Sequence, residues 1–320
     1  MLPSGLITPS FPAVKSSTEE ITEMAAEHCS ARTTSGARRH HPFISFTLMA
    51  ALVIFVCAGP AVVLAEGGTI VFHVANRCPF PVWPASAPNT GHPVLAGGGF
   101  LVPPGKSRRV AAPATWNGRF WARTGCNFTS NGGAAGAGCL TGDCEGRLAC
   151  NGSVGTPPAT LVEVSLHEDP TKGSSYDVSL VDGYNLPVSV VSSKSGEGRC
   201  DIAGCAKDVN AACPPELQVV ATTGGGSKAK AVVVACKSAC LAFGLDAFCC
   251  RGAYATPDAC RGSVYSRMFK DACPAYYSYA YDTTAATATG CHAQEYVITF
   301  CPNRWGGDQQ LDAGHGAAQI

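Results

Sequence analysis

Cysteine is the reactive residue that dominates this sequence, and its spacing is compatible with disulfide bonds or with metal ligation. The chain has 18 cysteines among 320 residues, and the segment "CLTGDCEGRLAC" at 139–150 holds three of them. Zinc sites usually use C-x2-C pairs or histidines interleaved with cysteines, and neither pattern occurs. We therefore predict disulfide chemistry, with no metal and no other cofactor.

Stable disulfides need an oxidising compartment, and the N-terminal region predicts one. The apolar stretch 43–65 follows basic residues such as Arg38 and ends at the small residue Ala65, which is typical of a secretory signal peptide. The stretch is also long enough for a retained membrane anchor, but Gly and Pro near its end favour cleavage after Ala65. The initiator is Met1 or Met49. We expect a secreted protein, in the apoplast rather than the vacuole, with no stable membrane insertion after cleavage.

Cleavage of the signal also changes the cysteine count. Cys29 and Cys57 lie in the removed part, so 18 minus two leaves 16, an even number as full pairing requires. Residues 1–42 form an N-terminal extension for which we predict no structure. The secretory route would make Asn127 and Asn151 usable as glycosylation acceptors, because each begins an N-x-[ST] triplet.

Composition excludes some partners and favours a fold class. Charged residues make up 14% of the chain, and 23 Lys and Arg balance 23 Asp and Glu, so no basic face favours nucleic acid. The 36 glycines and 22 prolines indicate many turns, and the Val, Thr, Tyr and Phe runs between them favour strands. We predict a mainly β protein that is a monomer.

Several strand patterns place charged side chains off the apolar faces. In "GRFWARTGC" (118–126), alternation puts Arg119, Trp121 and Arg123 on one face. In "TLVEVSLHE" (160–168), Glu163 lies on the less apolar side, and in "SYDVSLVDGYNLPVSV" (175–190) Asp177 points opposite to the inward-facing Tyr176. Charged residues at such positions are candidates for lining a cleft.

Beyond residue 194 the cysteines crowd together and strand alternation fades, which indicates a disulfide-rich lobe at about 200–273. Within this lobe we predict short helices at 235–244 and 263–273. For the second helix, the expected buried stripe is Val264, Met268 and Ala272. Strands then return at 276–282 and 295–301, and residues 303–320 form a tail without a core.

The opening cysteine motif resembles the signature of thaumatin-like proteins, the class 5 pathogenesis-related family. The resemblance is supported by "WARTGC", "TLVEVSL", "YDVSLVDGYN", "CCRGAY", "CPAYYSYAYD" and "YVITFCP", and it covers about residues 68–302. One departure lies at 135–138, where the family's usual G-x-[G/F]-x is Ala-Gly-Ala-Gly.

This resemblance implies a flattened β-sandwich with a disulfide-rich second lobe that contains short helices, over a thaumatin-like domain at 66–302. It also implies the pairing of the cysteines, which spacing alone leaves open. The implied pairs are Cys78 with Cys301, Cys126 with Cys139, Cys144 with Cys150, Cys200 with Cys291, Cys205 with Cys273, Cys213 with Cys236, Cys240 with Cys249, and Cys250 with Cys260. The loop 139–150 would then be stapled beside a cleft, where it presents a rigid polysaccharide-facing surface or only stabilises the sandwich edge.

The family resemblance further implies an acidic cleft between the sandwich and the lobe. By motif, its five residues are Arg123, Glu163, Asp177, Asp182 and Asp282. The alternative is an arginine–carboxylate network that only ties the sheet to the lobe.

Three functions follow from such a cleft. The first is a plant defence protein that binds fungal cell-wall β-1,3-glucan and is antifungal. The second is a weak endo-β-1,3-glucanase that uses Glu163 and Asp177, since glycoside hydrolysis needs one protonated and one ionised carboxyl. The third is an inhibitor of microbial enzymes or a stress-induced membrane-active protein, although 19 basic and 19 acidic residues after Ala65 make the mature chain neutral. No G-x-S-x-G, H-E-x-x-H or Walker motif suggests another enzyme.

Overall fold

Two five-stranded β-sheets, packed face to face, form the framework of the fold. The computed structural model describes residues 68–128, 138–167, 172–193, 200–223 and 230–302. The segments 1–42, 43–65 and 303–320 lie outside these described residues, as do residues 135–137 and Thr129 of the first glycosylation triplet.

Sheet A has the strand order β3-β1-β12-β7-β8. Its strands are β1 (Thr69–Asn76), β3 (Ser107–Pro113), β7 (Val188–Ser192), β8 (Asp201–Ile202) and β12 (Glu295–Phe300). The pair β1 and β12 runs parallel, and the other described pairs in this sheet are antiparallel. The first and last strands therefore lie side by side at the centre of the sheet.

Sheet B is antiparallel and has the order β11-β6-β5-β4-β2. Its strands are β2 (Trp83–Pro88), β4 (Asn117–Arg123), β5 (Leu161–Ser165), β6 (Ser174–Ser179) and β11 (Thr287–Cys291). One face of sheet B packs on sheet A, and the opposite face carries the charged residues described below.

Aromatic rings fill the space between the two sheets. Phe72 of sheet A lies 4.9 Å from Phe120 of sheet B, and Tyr296 lies 5.4 Å from Tyr176, measured between ring centroids. All four side chains are at most 3% exposed. Alternation puts every second residue of a strand on this inner face, so the predicted inward position of Tyr176 and the mainly β sandwich are confirmed.

The predicted disulfide-rich lobe combines a hairpin with short helices. The hairpin pairs β9 (Gln218–Thr223) with β10 (Lys230–Cys236), and the helices are α1 (Val209–Ala212), α2 (Ala239–Phe243), α3 (Asp246–Cys249) and α4 (Val264–Ala272). Short 3-10 turns lie at Pro215–Leu217 and Gly252–Tyr254 in the lobe, and at Ala96–Gly98 between β2 and β3.

Among the described residues, no helix is both long and apolar enough to cross a bilayer.

Eight disulfides cross-link the described chain, and they are the eight pairs implied by the family resemblance. Cys78 with Cys301 joins the ends of the neighbouring strands β1 and β12. Cys200 with Cys291 joins the two sheets through β11 and the residue before β8. Long-range bridges of this kind restrict the unfolded chain and so stabilise the fold.

Three local predictions for the lobe and its return to the sheet were wrong. The segment 235–244 is not wholly helical, because its first two residues end β10 and the helix begins only after Ser238, whose hydroxyl accepts a hydrogen bond from the Leu241 amide at 3.2 Å. In α4 the buried positions are Ser266, Phe269 and Ala272, while Val264 is 63% exposed at the first turn. The segment 276–282 forms a turn instead of a strand.

Candidate functional site

A cleft of about 320 Å³ opens on the outer face of sheet B, the face that points away from sheet A. Three carboxyl groups line it: Glu163 on β5, Asp177 on β6, and Asp182 in the turn after β6. Leu161, Val181 and Tyr277 supply apolar walls. The cleft thus combines hydrogen-bonding groups with apolar surface, as sites for small organic ligands do.

Strand register explains why these residues meet. Glu163 lies directly opposite Asp177, and Arg119 of β4 lies opposite Glu163 from the other side. On the same face, Thr287 of β11 lies opposite Asp177. These four side chains therefore form a polar row across four strands, whose backbones lie about 4.8 Å apart.

A second row runs parallel to the polar row, two residues further along the strands. Leu161 lies opposite Ser179, and Ser179 forms a parallel bridge with Tyr277. This row is mostly apolar. Asp182 follows where Gly183 turns the chain with φ +89°, and a Cβ there would lie 2.8 Å from the backbone oxygen of Cys236. Only glycine fits this turn, so the turn fixes where Asp182 lies.

The two central carboxyls influence each other. Burial and the neighbouring Glu163 carboxylate raise the pKa of Asp177 to about 7. Below that pH Asp177 holds a proton, so it can donate as well as accept a hydrogen bond. Glu163 is more open, with 44% of its side chain exposed.

The arginine beside this pair is Arg119, and the assignment of Arg123 to the cleft is not supported by its position. The Arg119 guanidinium lies 3.9 Å from the Glu163 carboxylate, whereas Arg123 is fully buried. Arg123 lies four residues further along β4 on the same face, which is about 13 Å at strand geometry. The predicted network in which Arg123 joins the carboxylates is therefore absent from the described residues.

Arg123 instead holds the loop 139–150. Its side chain donates to the backbone oxygens of Trp83 at 3.0 Å, Arg147 at 2.7 Å and Leu148 at 2.8 Å. Burial lowers its pKa to about 10, although the Asp143 carboxylate opposes this change. A pKa of about 10 leaves the guanidinium protonated at neutral pH, so each of these hydrogen bonds is charge-assisted.

The loop 139–150 packs on the sheet and does not line the cleft. The indole of Trp121 donates to the Gly142 oxygen at 2.8 Å, and Asp143 accepts from the amides of Cys139 at 2.9 Å and Gly146 at 2.7 Å. Of the described residues 138–167, only Leu161 and Glu163 line the cleft. These contacts fit the interpretation that the loop stabilises the sheet.

Asn151, exposed directly after the loop, remains a glycosylation candidate, as does the exposed Asn127.

Asp282 was also predicted to lie in the cleft, but it does not line it. It is 4% exposed and accepts from the Ser278 amide at 3.0 Å and from the Thr284 hydroxyl at 2.6 Å, and Lys270 lies 2.8 Å away. Burial alone would raise the pKa of Asp282, but Lys270 and the other donors outweigh burial and lower it to about 2. Asp282 thus anchors the turn that carries Tyr277.

Sequence reasoning missed two residues of the site. Arg119 was placed on the correct face of its strand, but nothing in the pattern distinguishes it from Arg123. Tyr277 fell in a segment predicted as a strand, where its neighbour Tyr276 is the buried one. The signal that identifies both is cross-strand register.

Comparison with known proteins agrees with the resemblance. A model of the Thaumatin family matches residues 76–302. A "Thaumatin-like protein" of Arabidopsis thaliana is 46% identical over 239 residues, which cover 75% of this chain and 92% of the relative. "Pathogenesis-related protein 5" of the same plant is 48% identical over 250 residues, which cover 78% and 95%.

Solved structures are more distant. A thaumatin-like xylanase inhibitor is 22% identical with a TM-score of 0.37, over 72% of this chain and 99% of the other. A laminaripentaose-producing β-1,3-glucanase in complex with laminaritetraose is 11% identical with a TM-score of 0.47, over 72% and 98%. The family model and the plant relatives, which cover most of the chain, show that it belongs to the Thaumatin family.

Proposed function

We propose that this protein is a secreted plant defence protein of the apoplast that binds fungal cell-wall β-1,3-glucan through the cleft on sheet B. The observation that carries the proposal is the cleft itself, in which Glu163, Asp177 and Asp182 lie beside apolar walls. Plant relatives named as pathogenesis-related proteins support the defence role.

The chemistry of the cleft suits a neutral sugar chain. A glucan carries no charge, so hydrogen bonds to its hydroxyls and contacts with its apolar ring faces must provide recognition. Glu163 and Asp182 accept from hydroxyls, and protonated Asp177 also donates to one. Each such bond adds roughly 0.5–1.5 kcal/mol of net binding free energy, so the loss of one or two weakens binding about tenfold.

One observation favours a second function, a weak endo-β-1,3-glucanase. A carboxyl with a pKa of about 7 next to a carboxylate is the pairing that acid-catalysed glycoside cleavage requires. Asp177 would donate its proton to the leaving glycosidic oxygen, and the Glu163 carboxylate would activate water or attack the sugar carbon. However, both carboxyls rise side by side from one sheet face, whereas glycosidase carboxyls flank the scissile bond. We therefore favour binding with little or no turnover.

The test measures retention on insoluble β-1,3-glucan and release of soluble oligosaccharide. Glu163→Gln and Asp177→Asn keep side-chain size, and Asp258→Asn in the exposed loop of the lobe is the matched control. We expect the wild type and the control to be retained, and retention of the two cleft variants to fall about tenfold.

Three other results would contradict this proposal. No retention of the wild type would refute it. Oligosaccharide release that falls at least about 100-fold in Glu163→Gln would establish the hydrolase instead. Unchanged retention of both cleft variants with lower melting temperatures would indicate that the carboxyls are structural.

A further inference from the structure

Tyr277 forms one wall of the cleft, and its backbone is held firmly against sheet B. Its amide donates to the Val178 oxygen at 2.8 Å, and its own oxygen accepts from the Leu180 amide at 2.7 Å. The residue therefore extends the sheet beside the last residues of β6, beyond the point where β11 pairs with that strand. A wall built on a sheet edge moves less than one built on a free loop.

The side chain of Tyr277 points away from the core. Its neighbour Tyr276 is fully buried, and the Tyr276 hydroxyl bonds to the backbone of Val188. Tyr277 takes the opposite direction, and its hydroxyl lies 2.6 Å from the hydroxyl of Thr287, the residue opposite Asp177. One end of the ring is thus fixed beside the polar row, and the ring itself borders the cleft.

A network beneath the cleft holds the segment in this position. Asp282 accepts from both the amide and the hydroxyl of Ser278, the next residue after Tyr277. Lys270 pairs with Asp282 at 2.8 Å and donates to the Tyr276 oxygen at 2.6 Å. Since the ring is ordered before any ligand arrives, binding does not have to order it.

We propose that Tyr277 is the stacking platform of the cleft, against which the apolar face of a glucose ring lies. This inference rests on the proposed function and names the sugar that the cleft selects. A pyranose with equatorial hydroxyls has flat apolar faces and a polar rim, and the cleft has an aromatic wall together with the carboxyl groups of Glu163 and Asp177. An axial hydroxyl lifts the ring from such a platform, so we expect β-glucan to bind and mannan to bind much less.

The experiment compares two changes at Tyr277 with one elsewhere. Tyr277→Ala removes the ring, Tyr277→Phe keeps the ring and loses only the bond to Thr287, and Tyr254→Ala removes another exposed tyrosine, 42% exposed on the lobe. Retention on insoluble β-1,3-glucan should fall at least about tenfold for Tyr277→Ala and stay within about threefold for Tyr277→Phe. Tyr254→Ala should bind as the wild type does. Near-UV circular dichroism and melting curves identify any variant that has not folded.

The outcomes separate this inference from the proposed function. If Tyr277→Ala folds and binds like the wild type while Asp177→Asn loses binding, the stacking platform is refuted and the glucan-binding function stands. Equal retention of wild type on mannan and on β-1,3-glucan would also refute the selection by ring shape. Absence of glucan binding in the wild type would refute both. If Tyr277→Ala does not fold, a tenfold loss in Tyr277→Phe, which keeps the ring and lacks only the hydroxyl, would refute the ring as the binding element.

Discussion

Replacing Arg123 with methionine tests whether this buried arginine supports the loop 139–150 or the cleft. Methionine keeps much of the side-chain volume but removes the donors to the backbone oxygens of Trp83, Arg147 and Leu148. If Arg123 acts only on the loop, Arg123→Met lowers stability and leaves glucan binding intact in the folded protein.

The size of the effect follows from two opposing contributions. Three hydrogen bonds from a charged donor are worth roughly 1.5–3 kcal/mol each, or about 4.5–9 kcal/mol together. Against this, burial lowers the pKa of Arg123 from 12.5 to about 10. That change corresponds to about 3 kcal/mol that disfavours the buried charge and is recovered on substitution. We therefore expect the free energy of unfolding to fall by about 3 kcal/mol, and Tm to fall by roughly 6–12 °C.

The assay is thermal unfolding in one buffer, combined with retention on insoluble β-1,3-glucan at a temperature where every variant is folded. Arg119→Met is the matched control, because its 3.9 Å pair with Glu163 is partly exposed and worth less than about 1 kcal/mol. Its Tm should change by no more than a few degrees. A wild-type Tm for Arg123→Met, together with lost glucan retention, would show that Arg123 belongs to the cleft and that the reasoning is wrong.

Three further predictions concern pH and processing. Because the pKa of Asp177 is raised to about 7, the folded state binds one more proton than the unfolded state between pH 4 and 7. The free energy of unfolding, measured with urea, should therefore fall by at most about 4 kcal/mol as pH rises from 4 to 7. An equal fall with pH in Asp177→Asn would contradict this prediction. Asp282 has a lowered pKa of about 2, so its ionised carboxylate should stabilise the folded state by about 2 kcal/mol above pH 4, and this contribution should be lost as pH falls toward 2. An unchanged midpoint of acid unfolding in Asp282→Asn would argue against this prediction. Secreted protein should begin at or near Glu66 and show no free thiol after denaturation, and several titratable thiols or a start at Met1 or Met49 would overturn these expectations.

The sandwich could be predicted because strands with one buried face carry a period-2 pattern. In β1, Phe72 and Val74 are buried while Val71 and His73 are partly exposed, as the alternation indicates. The pattern reports burial directly, since every second residue must face sheet A or sheet B. The disulfide pairs had a different origin: spacing left them open, and only the family resemblance implied them.

The errors in the lobe arose where side-chain hydrogen bonds, and not the periodicity of apolar residues, determine the backbone conformation. The run 276–282 alternates aromatic and small residues as a strand does. However, Ser278 and Thr284 donate hydrogen bonds to the Asp282 carboxylate, and these bonds hold the segment in a turn. Side chains of this kind compete with the sheet for backbone groups. In the helix α4, Val264 is the first residue and its side chain is exposed, whereas the buried positions are Ser266, Phe269 and Ala272.

The cleft was predicted less completely than the fold. Sequence alternation shows which face of a strand a residue occupies, but it does not show which residue of the neighbouring strand lies opposite. Alternation places Arg119 and Arg123 on the same face of β4, but it does not say which of them lies opposite Glu163. The pairing of β4 with β5 settles this, and it depends on long-range packing that no local pattern encodes. The loop 139–150 then covers the Arg123 end of the face through the hydrogen bonds of Arg123 and Trp121. The loop 139–150 thereby divides the outer face of sheet B into two halves. The half that the loop covers contributes to the stability of the fold, and the other half faces solvent. The proposed glucan-binding function therefore assigns the ligand to the open half, where Arg119, Glu163 and Asp177 lie.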